Sequence, residues 1–336
     1  MRGARAGRHA VGGRVLALSR PVALVLRALG LGDFLTGVPA LRGVRRALPD
    51  HELVLAAPTV LAPLVDRANT ADRVHQASGL DPLHWTGPAP DIAVNLHGRG
   101  PQSHRLLLDT APGRLAAFSC PDAGVDGPEW TAEEHEVDRW CRLVSRTLDT
   151  AVDPHDIELA ASSDPPLVSE AVVVHPGAAF PARRWPAGRF AAVARWARDQ
   201  GWPVVVTGSA AEGELAEEVR RLAGLPGDSV LAGHTDLAQL GDVVACARLV
   251  VCGDTGLGHL ASAFRTPSVV LFGPTPPRLW GPPADGPHAV IWHGGSSGDP
   301  WADTVDPGLL AISVAEVLER AGAMTRRTPA PAHGTS

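Results

Sequence analysis

The sequence predicts an α/β protein composed of two doubly wound domains, each a parallel sheet covered by helices. From Pro21 onward, short apolar runs alternate with segments whose apolar residues recur at helical spacing, which is typical of βαβ units. The alternation starts again at Ala171, after a polar, proline-containing stretch over residues 149–169. We therefore expect two domains joined by a linker.

The elements of the first domain follow from this alternation. Buried strands are predicted over residues 22–26, 52–56 and 91–96, because each is a short apolar run that ends in a turn. Helices are predicted over 34–48, 60–65 and 129–148, where apolar residues recur every three or four positions. We expect this domain to occupy residues 21–160, with the linker at 161–170.

The second domain repeats the pattern and is expected over residues 171–322. Its predicted strands cover 171–175, 203–207, 249–252 and 268–272, and its predicted helices cover 188–200, 212–222, 237–245, 257–264 and 311–321. Residues 1–20 are expected to be a flexible extension rather than a targeting signal, because residues 15–19 are too short for the apolar part of a signal peptide. Residues 323–336 are expected to be a disordered tail.

Composition excludes several classes of protein. The chain has 336 residues, 45% of them hydrophobic and 20% charged, which is enough to bury a full core. Thirty basic residues, all arginine, stand against 36 acidic ones, so the formal charge is −6 and no nucleic-acid partner is expected. No apolar run reaches the roughly 18–20 residues of a spanning helix, so we expect no transmembrane segment and leave peripheral membrane contact open.

The cysteine pattern predicts the cellular compartment in which the protein works. The four cysteines show no C-x-x-C spacing, so neither disulfides nor structural zinc are expected. A protein with reduced thiols of this kind is expected in the cytoplasm.

Ligands of doubly wound sheets bind beyond the carboxyl ends of the strands, so the strand-to-helix turns are the candidate site. The first turn, over residues 27–33, brings Asp33 to the start of a helix. Its carboxylate could serve as a general base or simply satisfy the free amides of the helix N-terminus. The turn has G-x-G without a third glycine, which is a weak dinucleotide signal.

The second and third turns combine small residues with charge. Gly177 follows a predicted strand, and Arg183 comes six residues later, a combination that suits a phosphate near backbone amides. The alternative is that Arg183 is a solvated surface arginine. In the third turn, Glu212 opens a helix and could either cap it or accept hydrogen bonds from a ribose or base.

The fourth turn, over residues 253–261, is the most informative. Asp254, Thr255 and Gly256 follow a strand, and His259 lies one turn into the next helix. This density of glycine and small polar residues suits a diphosphate, and we favour ligand contact for His259 over simple packing. No clustered metal-ligand pattern joins these residues, so no metal site is expected. A serine hydrolase is disfavoured because the chain has no G-x-S-x-G.

Together these segments resemble glycosyltransferase family 9, the ADP-heptose:lipopolysaccharide heptosyltransferase group. The resemblance covers most of residues 21–283 and is carried by LRALGLGDFLTGVPALRGVRRALP, VVVHPGAAFPARRWPAGRF, VVVTGSAAEGELAEEV and LAGHTDLAQLGDVVACARLVVCGDTGLGHLASAFRTPSVVLFGPTPP. The D-[ST]-G-x-x-H-[LI]-A segment and the upstream G-D-x-x-x-x-x-P element are specific in combination.

The resemblance implies the GT-B fold, in which two Rossmann-like domains face a cleft. It implies an inverting transfer without a metal or cofactor, from an ADP-heptose-like nucleotide sugar to a glycan, lipid-linked or small-molecule acceptor. Asp33 matches the family's proposed catalytic base. Asp254, Thr255, Gly256 and His259 match its donor-diphosphate segment, and Glu212 matches a contact to the donor nucleoside. We place Gly177 in the donor site as well.

One position departs from the family pattern. Where the family has K-x-W-P, this chain has Arg183-Arg184-Trp185-Pro186, so Arg183 stands at the lysine that contacts the donor phosphate. Arginine keeps the charge but differs in bulk and reach. Two other hypotheses therefore stay open: a GT-B nucleotide-sugar epimerase, and a non-catalytic sugar-nucleotide-binding protein.

Overall fold

Two five-stranded parallel sheets form the framework of the protein. The computed structural model of the chain describes residues 20–295 and 298–327. The first sheet has the order β3-β2-β1-β4-β5, and its strands are β1 (Val22–Leu26), β2 (Glu52–Ala57), β3 (Arg73–Gln76), β4 (Ile92–Asn95) and β5 (Arg114–Ala116). The two strands predicted next to β1 are confirmed, whereas β3 and β5 were not predicted because they are short and half-exposed.

The second sheet is also parallel but has a different strand order. Its order is β10-β9-β8-β6-β7, with β6 (Val172–His175), β7 (Val204–Val206), β8 (Leu249–Gly253), β9 (Ser268–Phe272) and β10 (His288–Trp292). The central strands are buried along their whole length, because helices cover both faces of a parallel sheet. The predicted α/β class with two doubly wound domains is confirmed.

Helices pack on both sheets. Those of the first domain are α1 (Leu31–Ala47), α2 (Ala62–Ala68), α3 (Gln102–Leu108) and α4 (Glu136–Leu148). Those of the second are α5 (Ala187–Asp199), α6 (Gly213–Ala223), α7 (Leu237–Ala245), α8 (Gly256–Ala263), α9 (Pro277–Trp280), α10 (Pro307–Ala311) and α11 (Val314–Arg327). Within the described ranges, no helix combines the length and the apolar character that crossing a bilayer requires.

Two expectations about the helices are corrected. The helix predicted over 129–148 begins only at Glu136, because Trp130 belongs to the preceding loop and packs edge-on against Phe118 and Trp140. The tail expected to be disordered from residue 323 is helical as far as Arg327, because Met324 packs against the core of the second domain. The extension expected over residues 1–20 lies outside the described residues except for Arg20.

Contact between the domains is extensive. Helix α1 packs against α8, and α2 packs against α7, where Arg67 forms an ion pair of 2.8 Å with Asp242. The amide of Leu159 donates to the carbonyl of Ala263 across the same boundary, at 2.9 Å. These contacts fix the N-terminus of α1 against that of α8.

Helix α1 is held on its other side by close packing at Gly43. A β-carbon at this position would lie 2.6 Å from Val152 Cγ2 and 3.1 Å from Val144 Cγ1. We expect Gly43→Val to lower the free energy of unfolding by about 1–3 kcal/mol, the usual effect of overpacking, as measured by urea denaturation. Gly188→Val is the control, because a β-carbon at that helical position meets nothing within 4 Å. Equal losses in the two variants would contradict the prediction.

Candidate functional site

The predicted turns all lie at the carboxyl edges of the two sheets. In the first sheet β1 lies between β2 and β4, and in the second β6 lies between β7 and β8. Strand order reverses at β1 in the first sheet and at β6 in the second, and ligands of doubly wound sheets bind in the crevice beside such strands. Asp33 follows β1 in the first turn of α1, and Thr255 follows β8 as the N-cap residue of α8.

Two glycines allow the N-termini of α1 and α8 to meet. A β-carbon on Gly32 would lie 3.1 Å from His259 Cδ2 and 3.3 Å from Gly256 Cα, and one on Gly256 would lie 3.0 Å from the Gly32 amide nitrogen. The Leu31 side chain packs at the same point, where its Cβ would lie 3.0 Å from a β-carbon on Gly256. The turn that carries Asp33 is therefore in contact with the turn that carries His259. Both helix N-termini present free N–H groups and positive dipole ends at this point.

The surroundings of Asp33 change the pKa of its carboxyl group. Burial raises its pKa from the ordinary value of 3.8; the nearby Arg27 guanidinium opposes that shift and the Glu136 carboxylate adds to it. A carboxylate whose pKa lies above the ordinary range is a stronger base. The structure therefore places at the interdomain boundary a group that can accept a proton.

Glu212 lies against the turn after β6. Its Oε2 accepts hydrogen bonds from the Ser209 amide at 2.7 Å and the Ser209 hydroxyl at 2.9 Å, which completes a capping box. A β-carbon on Gly177 would be only 2.1 Å from Glu212 Oε1. Capping is thus confirmed, and it uses one carboxylate oxygen while the other faces Gly177.

Arg183 and Thr255 carry buried polar atoms without partners. Arg183 ends a short 3₁₀ helix, Pro181–Arg183, and its backbone carbonyl would lie 3.1 Å from a β-carbon on Gly253. Its Nε and the Thr255 hydroxyl are buried, and neither has a hydrogen-bond partner within residues 20–295 and 298–327. Buried polar groups in native proteins are nearly always paired, so these two atoms are unusual, and the Cys252 thiol lies close enough to Thr255 for a weak hydrogen bond.

Asp254 lies beside these groups and is 8% exposed. Burial raises its pKa to about 6, and the Arg183 guanidinium opposes the shift. Two protonation states are therefore accessible near neutral pH at the end of β8.

The buried charge of Asp254 predicts a pH-dependent loss of stability. The folded state holds this proton more tightly than the unfolded state, whose carboxyl has the ordinary pKa of 3.8, so stability falls as pH rises from about 4 through about 6. We expect Asp254→Asn to raise the free energy of unfolding by about 1–3 kcal/mol at pH 8, with the gain disappearing near pH 4. Urea denaturation at both pH values measures it. Asp81→Asn, at an exposed carboxylate, is the control, and an equal gain in both variants contradicts the prediction.

His259 is a neutral donor in this environment. Burial lowers its pKa to about 4, helped by the nearby His135 and Arg27, and its ring packs edge-on against Trp280 with centroids 5.9 Å apart. At neutral pH the imidazole therefore keeps one N–H for a phosphate or sugar oxygen and adds no charge.

A cavity of about 300 Å³ adjoins His259 between the two domains. Its walls come from both domains and include Leu35, Thr36, His135, Ser262 and Pro282. Asp33, Arg183 and Glu212 are not among its lining residues, so the predicted site residues border this cavity only at His259. In the described part of the chain, no group of three histidine, cysteine, aspartate or glutamate side chains could hold a metal ion.

Sequence reasoning gave no role to two residues that act on Asp33. Arg27 donates to the main-chain carbonyl of Asp33, and Glu136, at the start of α4, accepts from Arg27. The sequence shows Arg27 directly after β1, but no sequence pattern connects it with Glu136, which lies 109 residues away.

The fold and the site define a class: a two-domain α/β protein of the GT-B type, in which a buried carboxyl group and a glycine-rich turn meet at the carboxyl edges of the two sheets. The family model described as glycosyltransferase family 9 (heptosyltransferase) matches residues 128–297. The chain belongs to this family.

Known proteins agree with this assignment. Lipopolysaccharide heptosyltransferase 2 of Escherichia coli K12 is 34% identical over 178 residues, which are 50% of this chain and 49% of that protein. The match therefore spans only about half the length of this curated relative.

Two solved structures share the fold. The structure of E. coli ADP-heptose lps heptosyltransferase II has a TM-score of 0.74 at 22% identity, covering 91% of this chain and 98% of that one. E. coli heptosyltransferase WaaC with ADP has a TM-score of 0.68 at 19% identity, covering 90% and 99%.

Proposed function

We propose that this protein is an inverting, metal-independent glycosyltransferase that moves a heptose-like sugar from an ADP-sugar to an acceptor hydroxyl. The observation that carries the proposal is the contact between the Asp33 turn and the His259 turn through Gly32 and Gly256. This contact brings the Asp33 turn of one domain beside the glycine-rich turn of the other, which supports a role for Asp33 as base next to a site for the donor diphosphate. Family membership and the ADP in the structure of E. coli heptosyltransferase WaaC support the choice of donor.

In the proposed reaction the acceptor oxygen attacks the anomeric carbon on the face opposite the diphosphate. The new carbon–oxygen bond forms as the bond from that carbon to the phosphate oxygen breaks, and the hydroxyl proton passes to the Asp33 carboxylate. The bonding pair leaves with ADP. Attack from the opposite face inverts the anomeric configuration.

The leaving diphosphate needs stabilisation because it carries growing negative charge. The free amides at the start of α8, the Thr255 hydroxyl and the Arg183 guanidinium can supply it, since a preorganised set of donors lowers the barrier without reorganising. Arg183 would take the place of the family's lysine, with a planar guanidinium that can bind a phosphate through two nitrogens in place of a single ammonium nitrogen. Glu212 Oε1 would accept from the donor nucleoside beside Gly177.

The acceptor is a hydroxyl of a glycan, a lipid-linked sugar or a small molecule, bound mainly by the first domain. We place the reaction in the cytoplasm, because all four cysteines are unpaired thiols, as is usual for reduced compartments.

The test is ADP release from ADP-heptose, measured alone and with heptose-deficient lipopolysaccharide, together with ¹H NMR of the sugar, which distinguishes anomers and epimers. Acceptor-dependent ADP release with an inverted product supports the proposal, and slow acceptor-independent release of ADP with an inverted free sugar supports donor activation by the same site. Conversion of the donor to an epimer without ADP release indicates an epimerase. Tight binding of ADP-heptose without any turnover indicates a binding protein. Either of the last two outcomes overturns the proposal.

A further inference from the structure

The guanidinium of Arg27 lies beneath the first turn of α1 and is 1% exposed. Its Nε donates to the main-chain carbonyl of Asp33, and Nη1 donates to the carbonyl of Leu96 at the end of β4. Nη2 donates to the Thr36 hydroxyl at 3.0 Å. One side chain thus joins the end of β4 to the helical turn that contains Asp33.

Space for this side chain is built into α1. A β-carbon on Gly37 would lie 2.7 Å from Arg27 Nε and 2.8 Å from its Cδ, so a larger residue there would displace the guanidinium. On its other side the guanidinium stacks over the Trp140 ring, 4.9 Å from the centroid. Arg27 is therefore confined to one position.

Glu136 supplies the opposite charge from a distant part of the chain. It is the first residue of α4, is 5% exposed, and its Oε1 accepts from Arg27 Nη2 at 3.3 Å and from Trp140 Nε1 at 2.7 Å. Its other oxygen accepts from Arg139. A buried ion pair contributes little net stability compared with apolar packing, so its presence under this particular turn calls for another explanation.

We propose that Arg27 and Glu136 form a positioning pair for Asp33: the arginine holds the main chain of the Asp33 turn, and the glutamate orients the arginine and balances its charge. The inference rests on the proposed role of Asp33 as the base. Neither residue touches the reacting atoms, so both act through Asp33.

The pair also sets the charge that acts on Asp33. Arg27 favours the ionised carboxylate, and Glu136 disfavours it. The other titratable groups on the elements around the turn are His97 after β4, and His259 of α8 with its neighbour His135. The pKa of His97 and that of His259 are each lowered to about 4 by burial, so both are neutral near pH 7. Arg27 and Glu136 are then the charges that matter, and they act in opposite directions.

The Glu136→Gln variant tests the negative charge of Glu136 with little change in side-chain shape. Glutamine keeps an oxygen for Arg27 and Trp140 but removes the negative charge, so we expect the pKa of Asp33 to fall, by up to about one unit. The measurement is a ¹³C NMR titration of aspartate-labelled protein, in which the Asp33 resonance is identified by its loss in Asp33→Asn. This readout needs neither donor nor acceptor.

The Arg27→Lys variant tests the guanidinium geometry of Arg27 while it keeps the positive charge. Lysine keeps the positive charge but cannot donate to all four acceptors in the guanidinium geometry, so we expect kcat for ADP release from ADP-heptose to fall by about a hundredfold while the KM for donor changes by less than about twofold. Arg142→Gln is the control: Arg142 lies on the same helix as Glu136, and the substitution breaks its 2.7 Å ion pair with Glu134, without contact to the turn. It should alter neither the Asp33 pKa nor kcat.

The outcomes distinguish this inference from the proposed function. If Asp33→Asn is inactive while Glu136→Gln and Arg27→Lys both resemble the control, the positioning pair is overturned and the base remains. If Asp33→Asn keeps full activity, the proposed function itself fails. Should Arg27→Lys not fold, the Asp33 titration in Glu136→Gln decides alone: a lower pKa supports the pair, and an unchanged pKa overturns it.

Discussion

Asp33→Asn is expected to slow acceptor-dependent ADP release by about a thousandfold, within the range contributed by a positioned general base. Asparagine is nearly isosteric and leaves the contact between Gly32 and His259 intact, but it cannot take the acceptor's proton. Because the proposed donor site lies mainly in the second domain, donor affinity should change by less than about twofold. Steady-state kinetics and calorimetric titration with ADP measure the two quantities.

The control for this experiment is Asp109→Asn, an exposed carboxylate in the same domain. It should leave both turnover and ADP affinity unchanged. Because burial raises the pKa of Asp33, wild-type turnover should also fall with decreasing pH at a higher pH than an ordinary carboxyl would give. Wild-type turnover in Asp33→Asn would remove the carboxylate from the reaction, and an equal fall in ADP affinity would assign it to binding instead.

Arg183→Ala is expected to lower kcat by about a hundredfold or more, the usual effect of removing one group that stabilises a developing anion. ADP affinity should fall too, because the guanidinium would contact the diphosphate in both the bound and the reacting states. The observation behind this prediction is the buried Nε without a partner, next to the similarly unpaired Thr255 hydroxyl.

Two variants sharpen the test of Arg183. Arg183→Lys introduces the residue that the family has at this position, and we expect it to keep turnover within about tenfold of the wild type, since lysine is also a phosphate-binding cation. Arg221→Ala removes an exposed arginine of α6 and should have no effect on kinetics. If Arg183→Ala behaves like Arg221→Ala, Arg183 is not part of the donor site.

The elements that sequence reasoning located well are those with strong apolar runs. The predicted bounds of β1, β9 and α7 coincide with the observed ones, because each is a continuous or periodic apolar segment between clear breaks. The edge strands β3 and β5 were missed, since strands that lie half-exposed at a sheet edge lack a continuous apolar signal. The start of α4 was misplaced because the aromatic Trp130 fits a helical spacing while packing as part of a loop.

Some roles of the site residues could be predicted from the amino-acid sequence, and others could not. The segment around Asp254 and His259, with the Asp33 turn, was enough to indicate the family, because glycine turns after buried strands are local features. The capping hydrogen bonds of Glu212 were likewise predictable, since donor and acceptor lie three residues apart. The buried pair of Arg27 and Glu136 was not, because nothing local connects its members.

The amino-acid order by itself determined the α/β class, the two repeats of strand and helix, and the turns at the carboxyl edges, because these depend on apolar periodicity and on glycine over short stretches of chain. Only the tertiary structure decided that the N-termini of α1 and α8 touch through Gly32 and Gly256, and that Glu136 pairs with the arginine that holds the Asp33 turn. It also decided that Arg183 Nε and the Thr255 hydroxyl are buried without a hydrogen-bond partner among the residues that the structure describes. Those facts depend on how distant segments pack and on which charged groups are buried next to one another. No single stretch of sequence determines the packing or the burial.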